Sequence, residues 1–284
     1  MRRICFTPLI IALAVRGVAG AQKPTAGELL DRVKKNTGVP WREQTVDTIK
    51  QGSRDTPVTG VATTFAATFD VLQRAAASGK NLVITHEPTF YSHLDETREL
   101  QNDPVYQAKR DFIEKHHMVV FRFHDHWHAR NPDGIFEGMT KALGWEKYRS
   151  PEKRLFVMPE MTLDQLAGDI ERRLQIRTMR VIGDPKLKVT KVALVPGAAG
   201  AQTQIQALER DDVEVLVVGE AREWETVEYA RDAMTEGKRK ALILMGHVVS
   251  EEAGMGECAR WLKGFITEVP VEFIPAREPF WTPR

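Results

Sequence analysis

The chain has 284 residues, of which 42% are hydrophobic and 28% are charged, the balance of a globular protein with one large or two modest domains. This composition argues against intrinsic disorder, a collagen-like fold and a bundle of membrane helices. Forty basic residues oppose 39 acidic ones, so the formal charge is +1 and no field of one sign exists to attract nucleic acid. The two cysteines, Cys5 and Cys258, cannot form a disulfide framework. Because the charges are balanced, we expect no nucleic-acid partner.

The first 21 residues have the pattern of an export signal. Arg2 and Arg3 give a positive start, residues 4–15 are mostly apolar, and residues 19–21 are the small residues of a cleavage site. The apolar run is shorter than the about 20 residues of a membrane-spanning helix. The alternative is a buried N-terminal helix. Cleavage after Ala21 would leave a formal charge of −2 and one cysteine. We expect an exported protein, periplasmic or extracellular, that does not contact the membrane after cleavage.

The first half of the remaining chain predicts alternating helices and strands. Pro104 suits the first position of a helix, and the apolar run at residues 82–84 is typical of a buried strand. In chain order we predict a helix over 25–35, a β-prone stretch over 60–68, a helix over 69–78, a strand over 81–85, a helix over 103–116, a strand over 119–124 and a helix over 136–143. This order favours a sheet with helices packed against it.

The second half repeats the alternation after a polar segment, residues 149–153, that we take as the boundary between lobes. We predict strands over 155–158, 178–182, 191–195, 213–218, 240–245 and 271–274, and helices over 162–174, 224–236 and 250–265. The fold class is therefore α/β, with a signal peptide over 1–21, an N-terminal α/β lobe over 22–148 and a C-terminal α/β lobe over 149–284.

Three of the eight histidines alternate in the run Phe123-His124-Asp125-His126-Trp127-His128. Side chains two residues apart share a face of an extended chain, so we expect three imidazoles to point to one side from the end of a strand. Imidazole is the commonest metal ligand near neutral pH. The alternative is a polar strand end whose histidines pair with water or carboxylates.

Two further clusters follow apolar strands. His86 and Glu87 come directly after the strand at 81–85, at the edge where open α/β sheets place their sites. His247 and Glu251 lie four residues apart after the strand at 240–245, and would share one face of a helical turn. In the alternative interpretation Ser250 caps this helix and Glu251 complements its dipole. Nitrogen and oxygen donors together suit zinc, iron or manganese.

These motifs resemble the Nif-three-like dinuclear metal-centre family, often named GTP cyclohydrolase 1 type 2. Its pattern is His-His-Pro after a strand, a His-x-x-x-Asp stretch and a distant Gly-His-x-x-Ser-Glu. Here the three motifs are residues 86–88, 124–128 and 246–251, of which the last matches fully. Gly219-Glu220 and the glycine-rich turn at 196–200 also resemble family features.

The resemblance implies two lobes with the metals in the cleft between them, and a homo-hexamer. Carried over residue by residue, it gives His86, Glu87, His128, His247 and Glu251 as ligands. One family histidine is Glu87 here, and the aspartate is His128, which puts the number of ions in doubt because a neutral imidazole offers one lone pair. Asp125 could orient a histidine or ligate directly. With the alternating run included, the candidate ligands are His86, Glu87, His124, His128, His247 and Glu251.

Two functions fit these residues. One is a metal-dependent hydrolase that holds one or two divalent ions, zinc, iron or manganese, and activates a water, with Glu87 as general base if it is not a ligand. Its small-molecule substrate is unknown, and GTP is disfavoured for an exported protein that lacks a phosphate-binding Gly-Lys-Ser/Thr loop. The alternative is a non-catalytic metal-binding or metal-handling protein. Turnover that disappears when the metal is removed would separate the two.

Overall fold

The structure, a computed structural model, describes residues 23–152 and 154–283. The predicted export signal lies outside these residues. The described chain forms two five-stranded sheets. In spatial order, the strands of the first sheet are β1 (Ile49–Gln51), β4 (Val119–Arg122), β3 (Leu82–Thr85), β2 (Val61–Thr64) and β10 (Val271–Phe273). All neighbours are parallel except β1, which runs antiparallel to β4 at the edge.

The second sheet has the same general design. In spatial order its strands are β5 (Leu155–Thr162), β7 (Lys188–Val195), β8 (Val215–Val218), β9 (Ala241–Leu244) and β6 (Arg180–Ile182). The three central strands are parallel, and both edge strands are antiparallel to their neighbours. Short hydrophobic strands without polar alternation are expected here, because helices cover both faces of each sheet.

The helices begin where the sequence supplies a cap. Thr25 and Thr162 each form a capping box, and Pro104 occupies the first turn behind the N-cap Asp103. Gly144 ends its helix in the left-handed conformation. The helices are α1 (Ala26–Asn36), α2 (Phe69–Ala77), α3 (Pro104–Lys115), α4 (Asp125–Ala129), α5 (Gly134–Leu143), α6 (Leu163–Leu174), α7 (Ala201–Leu208), α8 (Glu228–Thr235) and α9 (His247–Leu262).

Each sheet is buried on both faces. In the first sheet Ile84 packs in one cluster with Leu30 of α1 and Leu262 of α9, whereas the adjacent Val83 packs on the other face with Ile113 of α3. The second sheet has α5 and α6 on one face, and α7 and α8 on the other. None of the helices in the described residues is long and apolar enough to cross a membrane.

Helix α9 belongs to both lobes. It starts after β9 of the second sheet, and its Ala253 packs against the core of that lobe, while Cys258 lies in the core of the first. It crosses α5 at close range, since a Cβ on Gly138 would lie 2.5 Å from Gly254 Cα. This contact brings the two lobes together at the middle of α9.

The structure differs from the sequence prediction in several elements. The division at 148/149 assigns residues 271–273 to the second lobe, whereas β10 pairs in parallel with β2 of the first sheet. Because α9 carries the chain back across the lobes, β10 reaches the free edge of β2 and satisfies its backbone groups. Strand β1 and helix α7 were not predicted, and residues 223–227 form a π-helical turn before α8.

Candidate metal centre

The candidate centre lies where strands of both sheets end. His86 and Glu87 follow β3, His124 follows β4, and His247 opens α9 after β9. The carboxyl ends of parallel strands are the usual place for sites in α/β proteins, because the loops that follow them meet at one edge. All six predicted ligands lie together here, although they come from segments up to 165 residues apart, the separation of His86 and Glu251.

The alternating run at 124–128 is helical and not extended, so the expectation that three imidazoles share one side is wrong. His124 is the N-cap of α4, and residues 125–129 form its single turn. In a helix, residues four apart share a face, so His124 and His128 point to the centre together. His126 points away and is fully buried, with its ring stacked on Trp41 at 3.7 Å.

The side chain of Asp47 stabilises the helical turn of α4. Its fully buried carboxylate accepts the backbone N–H groups of His124, Asp125 and His126 at 2.7, 2.9 and 2.9 Å. It also binds Nδ1 of His126 at 2.7 Å. A side-chain oxygen that accepts the first free N–H groups of a helix is what an N-cap supplies. Here that oxygen comes from 77 residues earlier, so the local sequence does not reveal it.

The donor atoms converge around Glu251. Its Oε2 lies 3.1 Å from Nε2 of His247 and 3.5 Å from Nε2 of His86, and its Oε1 lies 3.9 Å from Nε2 of His128. Nε2 of His86 and Nε2 of His128 are 3.2 Å apart. Glu251 and His86 are buried, with 3% and 0% of their surface exposed.

Glu87 completes the group from the other side. Its Oε1 lies 3.7 Å from Nε2 of His124 and 3.7 Å from Nε2 of His247. Ligand atoms of His86, His124 and His128, and separately those of His86, Glu87 and Glu251, lie within 4.8 Å of one another. Each of these groups could hold a metal ion.

An acceptor contacts Nδ1 of every histidine in the group. The carbonyl of Phe123 lies 3.2 Å from Nδ1 of His86, and carboxylates contact the other three. The pairs are His124–Asp125 at 3.0 Å, His128–Asp133 at 3.1 Å and His247–Glu220 at 3.3 Å. These acceptors assign the proton to Nδ1 and leave Nε2 to face the centre. Carbonyl and carboxylate partners of this kind are typical of metal-binding histidines.

The electrostatics of the group favour a cation. Burial and the neighbouring imidazoles of His128 and His124 hold the pKa of His86 well below its usual value, so its ring is neutral. Burial opposes protonation of His247, but its hydrogen bonds to Glu220 and Glu251 prevail and raise its pKa to about 10. Two buried or half-buried carboxylates and the lone pair of the neutral His86 ring thus face one point, and a divalent ion bound there would take the place of the His247 proton. The residues fit a divalent metal ion.

The start of α9 differs from the expectation that Ser250 caps the helix. The N-cap of α9 is Gly246, which makes no side-chain cap, so Ser250 does not cap the helix. The Ser250 hydroxyl instead accepts the N–H of Gly197 at 2.9 Å. A Cβ on Gly197 would lie 2.0 Å from Oε1 of Glu251, so the glycine-rich turn leaves the space that this carboxylate occupies.

Sequence reasoning missed several residues that support the centre. Asp133 is the N-cap of α5, and this role accounts for an aspartate at that position in the sequence. The structure shows that its Oδ2 also contacts Nδ1 of His128. Asp47 caps α4, and Arg122 donates to the carbonyl of His86. Neither could be recognised from nearby sequence, because their partners are distant in the chain. Asp125 was expected to orient a histidine or ligate, and its Oδ1 contacts His124.

The centre opens into a cavity of about 1090 Å³ between the lobes. Its walls include Glu87 and His128 from the first lobe, and Phe156 and Ala198 from the second. This volume is large enough for a small metabolite.

Fold and site together define a two-lobed α/β protein with a histidine–carboxylate cluster in the cleft. The sequence model of one family, Duf34/NIF3 (NGG1p interacting factor 3), matches residues 45–279. The protein belongs to the DUF34/NIF3 family, which confirms the resemblance and the α/β fold predicted from sequence.

Similar proteins agree with this assignment. A GTP cyclohydrolase 1 type 2 homolog of Clostridium acetobutylicum is 22% identical over 181 residues, which are 60% of this chain and 65% of that relative. The chain thus spans somewhat less than two thirds of that protein. A homolog of the same name from Chlamydia trachomatis is 22% identical over 240 residues, 82% of this chain and 90% of the relative.

Solved structures show the same fold. A Bacillus cereus protein related to NIF3 superposes with a TM-score of 0.73 at 15% identity, over 92% of this chain and 100% of that one. The Staphylococcus aureus hypothetical protein SA1388 superposes with a TM-score of 0.72 at 18% identity, over 92% and 99% of the two chains.

Proposed function

We propose that the protein is a metal-dependent hydrolase that acts on a small-molecule substrate in the cleft between its lobes. The observation that carries this proposal is the convergence of four imidazoles and two carboxylates, each imidazole with its Nδ1 against an acceptor. Imidazole nitrogens and carboxylate oxygens that converge in this way are the donor set of a divalent metal site. The cavity beside it offers room for a substrate.

The donor set suits zinc, iron or manganese, since it mixes imidazole nitrogens with carboxylate oxygens. A divalent ion with an open position lowers the pKa of a bound water to about 7 and so supplies a nucleophile at neutral pH. The two groups of possible ligands share His86, whose Nε2 has one lone pair and serves one ion. Glu251 offers one oxygen near His247 and the other near His128, which supports one or two ions.

Glu87 is the proposed general base. It lines the cavity and is half-buried, and its Oε1 lies on the side of the histidines. A carboxylate in this place accepts a proton from an attacking water and returns it to the leaving group. Glu87 would serve as base only where it is not itself a ligand of the ion.

Metal analysis and an activity panel test the proposal. The purified chain is assayed with phosphoesters, cyclic amides and nucleotides before and after treatment with a chelator. We expect turnover that the chelator abolishes and that His86→Asn lacks. His116→Asn is the matched control, since His116 is exposed and follows α3, outside the centre. Turnover that survives complete metal removal would contradict the proposal.

The second candidate is a metal-handling protein without turnover. Six donors in one place are enough to fill the coordination of a single ion, and this supports the second function. Stoichiometric, tight metal binding with no activity across the panel would favour it.

Location and assembly are also proposals. The pattern of residues 1–21 supports export to the periplasm or beyond. Fractionation of cells that express the full chain, with N-terminal sequencing of the exported product, tests cleavage after Ala21. The family resemblance supports a homo-hexamer, which light scattering on the purified protein tests.

A further inference from the structure

Arg122 is a fully buried arginine, with 0% of its surface exposed, at the end of β4. Its position is opposite Thr85, the last residue of β3, in the parallel register. Nε donates to the carbonyl of His86 at 3.1 Å, and Nη1 donates to the carbonyl of His93. One guanidinium therefore fixes the backbone on which His86 and Glu87 stand.

The buried charges around Arg122 leave it one close partner. Lys50 is also nearly buried, and its Nζ lies 3.3 Å from Oδ2 of Asp95. The other oxygen of Asp95 accepts the backbone N–H groups of residues 89 and 90 at 2.6 and 2.7 Å. Nη1 of Arg122 is 3.9 Å from Asp95, whereas its Nη2 is 3.5 Å from Oε2 of Glu87. Asp95 is already paired with Lys50, so Glu87 is the nearer carboxylate that balances the charge of Arg122.

The two oxygens of Glu87 thus have different surroundings. Oε2 faces Arg122, and Oε1 lies 3.7 Å from Nε2 of both His124 and His247. Planarity of the carboxylate means that fixing one oxygen also fixes the direction of the other.

We propose that Arg122 is a positioning residue. By pairing with Oε2 of Glu87 it orients the carboxylate so that Oε1 is the single oxygen that faces the metal centre. This inference rests on the proposed metal-binding function and specifies the role of one of its ligands. The Arg122–Glu87 pair is neutral as a whole. Within the described residues, Glu251 has no lysine or arginine within ion-pair distance, and its close partners are the imidazoles of His247, His86 and His128.

Cobalt(II) is a suitable probe, because its visible spectrum reports the ligand set and its affinity can be measured by competition with a chelator. The variants are Arg122→Met, Arg122→Lys, Glu87→Gln and the double variant Arg122→Met/Glu87→Gln. Lys50→Met is the matched control, since it removes a nearly buried cation that contacts Asp95 and not Glu87. Circular dichroism and thermal unfolding verify that each variant is folded.

We expect Arg122→Met to weaken cobalt binding by about 10- to 100-fold, the usual effect of losing a group that orients a ligand, and to change the visible spectrum. Arg122→Lys retains the positive charge but lacks the planar guanidinium with its several N–H donors, so it retains part of the affinity. In the Glu87→Gln background, Arg122→Met weakens binding by clearly less than it does in the wild-type chain, since the contact with the Glu87 carboxylate is already gone and only the bond to the His86 carbonyl remains to be lost. Lys50→Met lowers the unfolding temperature and leaves the affinity within about twofold.

A wild-type affinity and spectrum in folded Arg122→Met would overturn the proposal, and so would losses that add in the double variant. If Arg122→Met does not fold, Arg122→Lys decides by the same two readouts. If the wild type binds no cobalt, the proposed function fails, and the pairing is judged in the metal-free protein by thermal unfolding. Non-additive effects of Arg122→Met and Glu87→Gln then support the positioning role, and additive effects reject it.

Discussion

Replacing Asp47 by asparagine tests whether a distant cap shapes the metal centre. Oδ1 of Asp47 accepts the N–H groups of His124 and Asp125, and Oδ2 accepts the N–H of His126 together with its Nδ1–H. The amide of asparagine retains one oxygen, which can serve one of these two pairs. Its NH₂ group then faces two donors, and they lose their acceptor in a buried place.

The cost follows from the number of bonds removed. A hydrogen bond to a charged group contributes about 1.5–3 kcal/mol, so two lost bonds reduce the free energy of unfolding by roughly 3–6 kcal/mol. For a chain of this size, 3 kcal/mol corresponds to a midpoint lower by about 5–6 °C. Because α4 has a single turn, the loss also loosens His124 and His128, and we expect metal affinity to fall by about 10- to 100-fold.

Thermal unfolding and metal competition measure the two effects. Asp31→Asn is the control, since Asp31 is 61% exposed and pairs with the exposed Arg54. Such a surface pair contributes about 0–1 kcal/mol, so this variant should behave as the wild type. Asp47→Asn with unchanged affinity would refute the reasoning, because it would mean that α4 holds His124 and His128 without its cap.

Three further predictions concern the centre. Gly197→Ala should remove most metal binding, since the added Cβ would meet Glu251 at 2.0 Å and the residue has φ +71°; equilibrium dialysis measures this, and normal binding would show that the turn can move away. Because the pKa of His247 is raised to about 10, a metal must displace its proton, so apparent affinity should rise about tenfold per pH unit between pH 6 and 9. Calorimetry in buffers of different ionisation enthalpy should detect this proton release, and pH-independent binding would contradict it. Metal at 100 times its Kd should stabilise the fold by about 2.7 kcal/mol, which a chelator reverses; an unchanged unfolding midpoint would argue against a site in the folded state.

Much of the fold could be predicted because hydrophobic runs and caps are local signals. The strand at 82–85 and the helix that begins after Thr162 follow directly from such signals. Helix α7 was missed because its N-cap, Gly200, provides no side-chain cap. Strand β10 was found, but its sheet was not, since pairing with β2 depends on the path of α9 across the molecule.

The candidate ligands could be predicted because they stand at strand ends, and the family resemblance links the three motifs. The shape of the run at 124–128 could not. Its alternating histidines suggest a period of two, which is typical of a strand, whereas Asp47 imposes a helical turn. His126 is consequently part of the support for α4 and not a ligand candidate. Arg122 was missed for the same reason, since its partners lie 29 to 36 residues earlier.

The most direct measurement is a crystal structure of the purified protein with anomalous scattering recorded at the absorption edge of the metal found by elemental analysis. The account predicts one or two anomalous peaks in the cleft, within bonding distance of Nε2 of His86 and of the carboxylate of Glu251. A cleft without such a peak in protein saturated with zinc, iron or manganese, or an ion held by other residues alone, would contradict it.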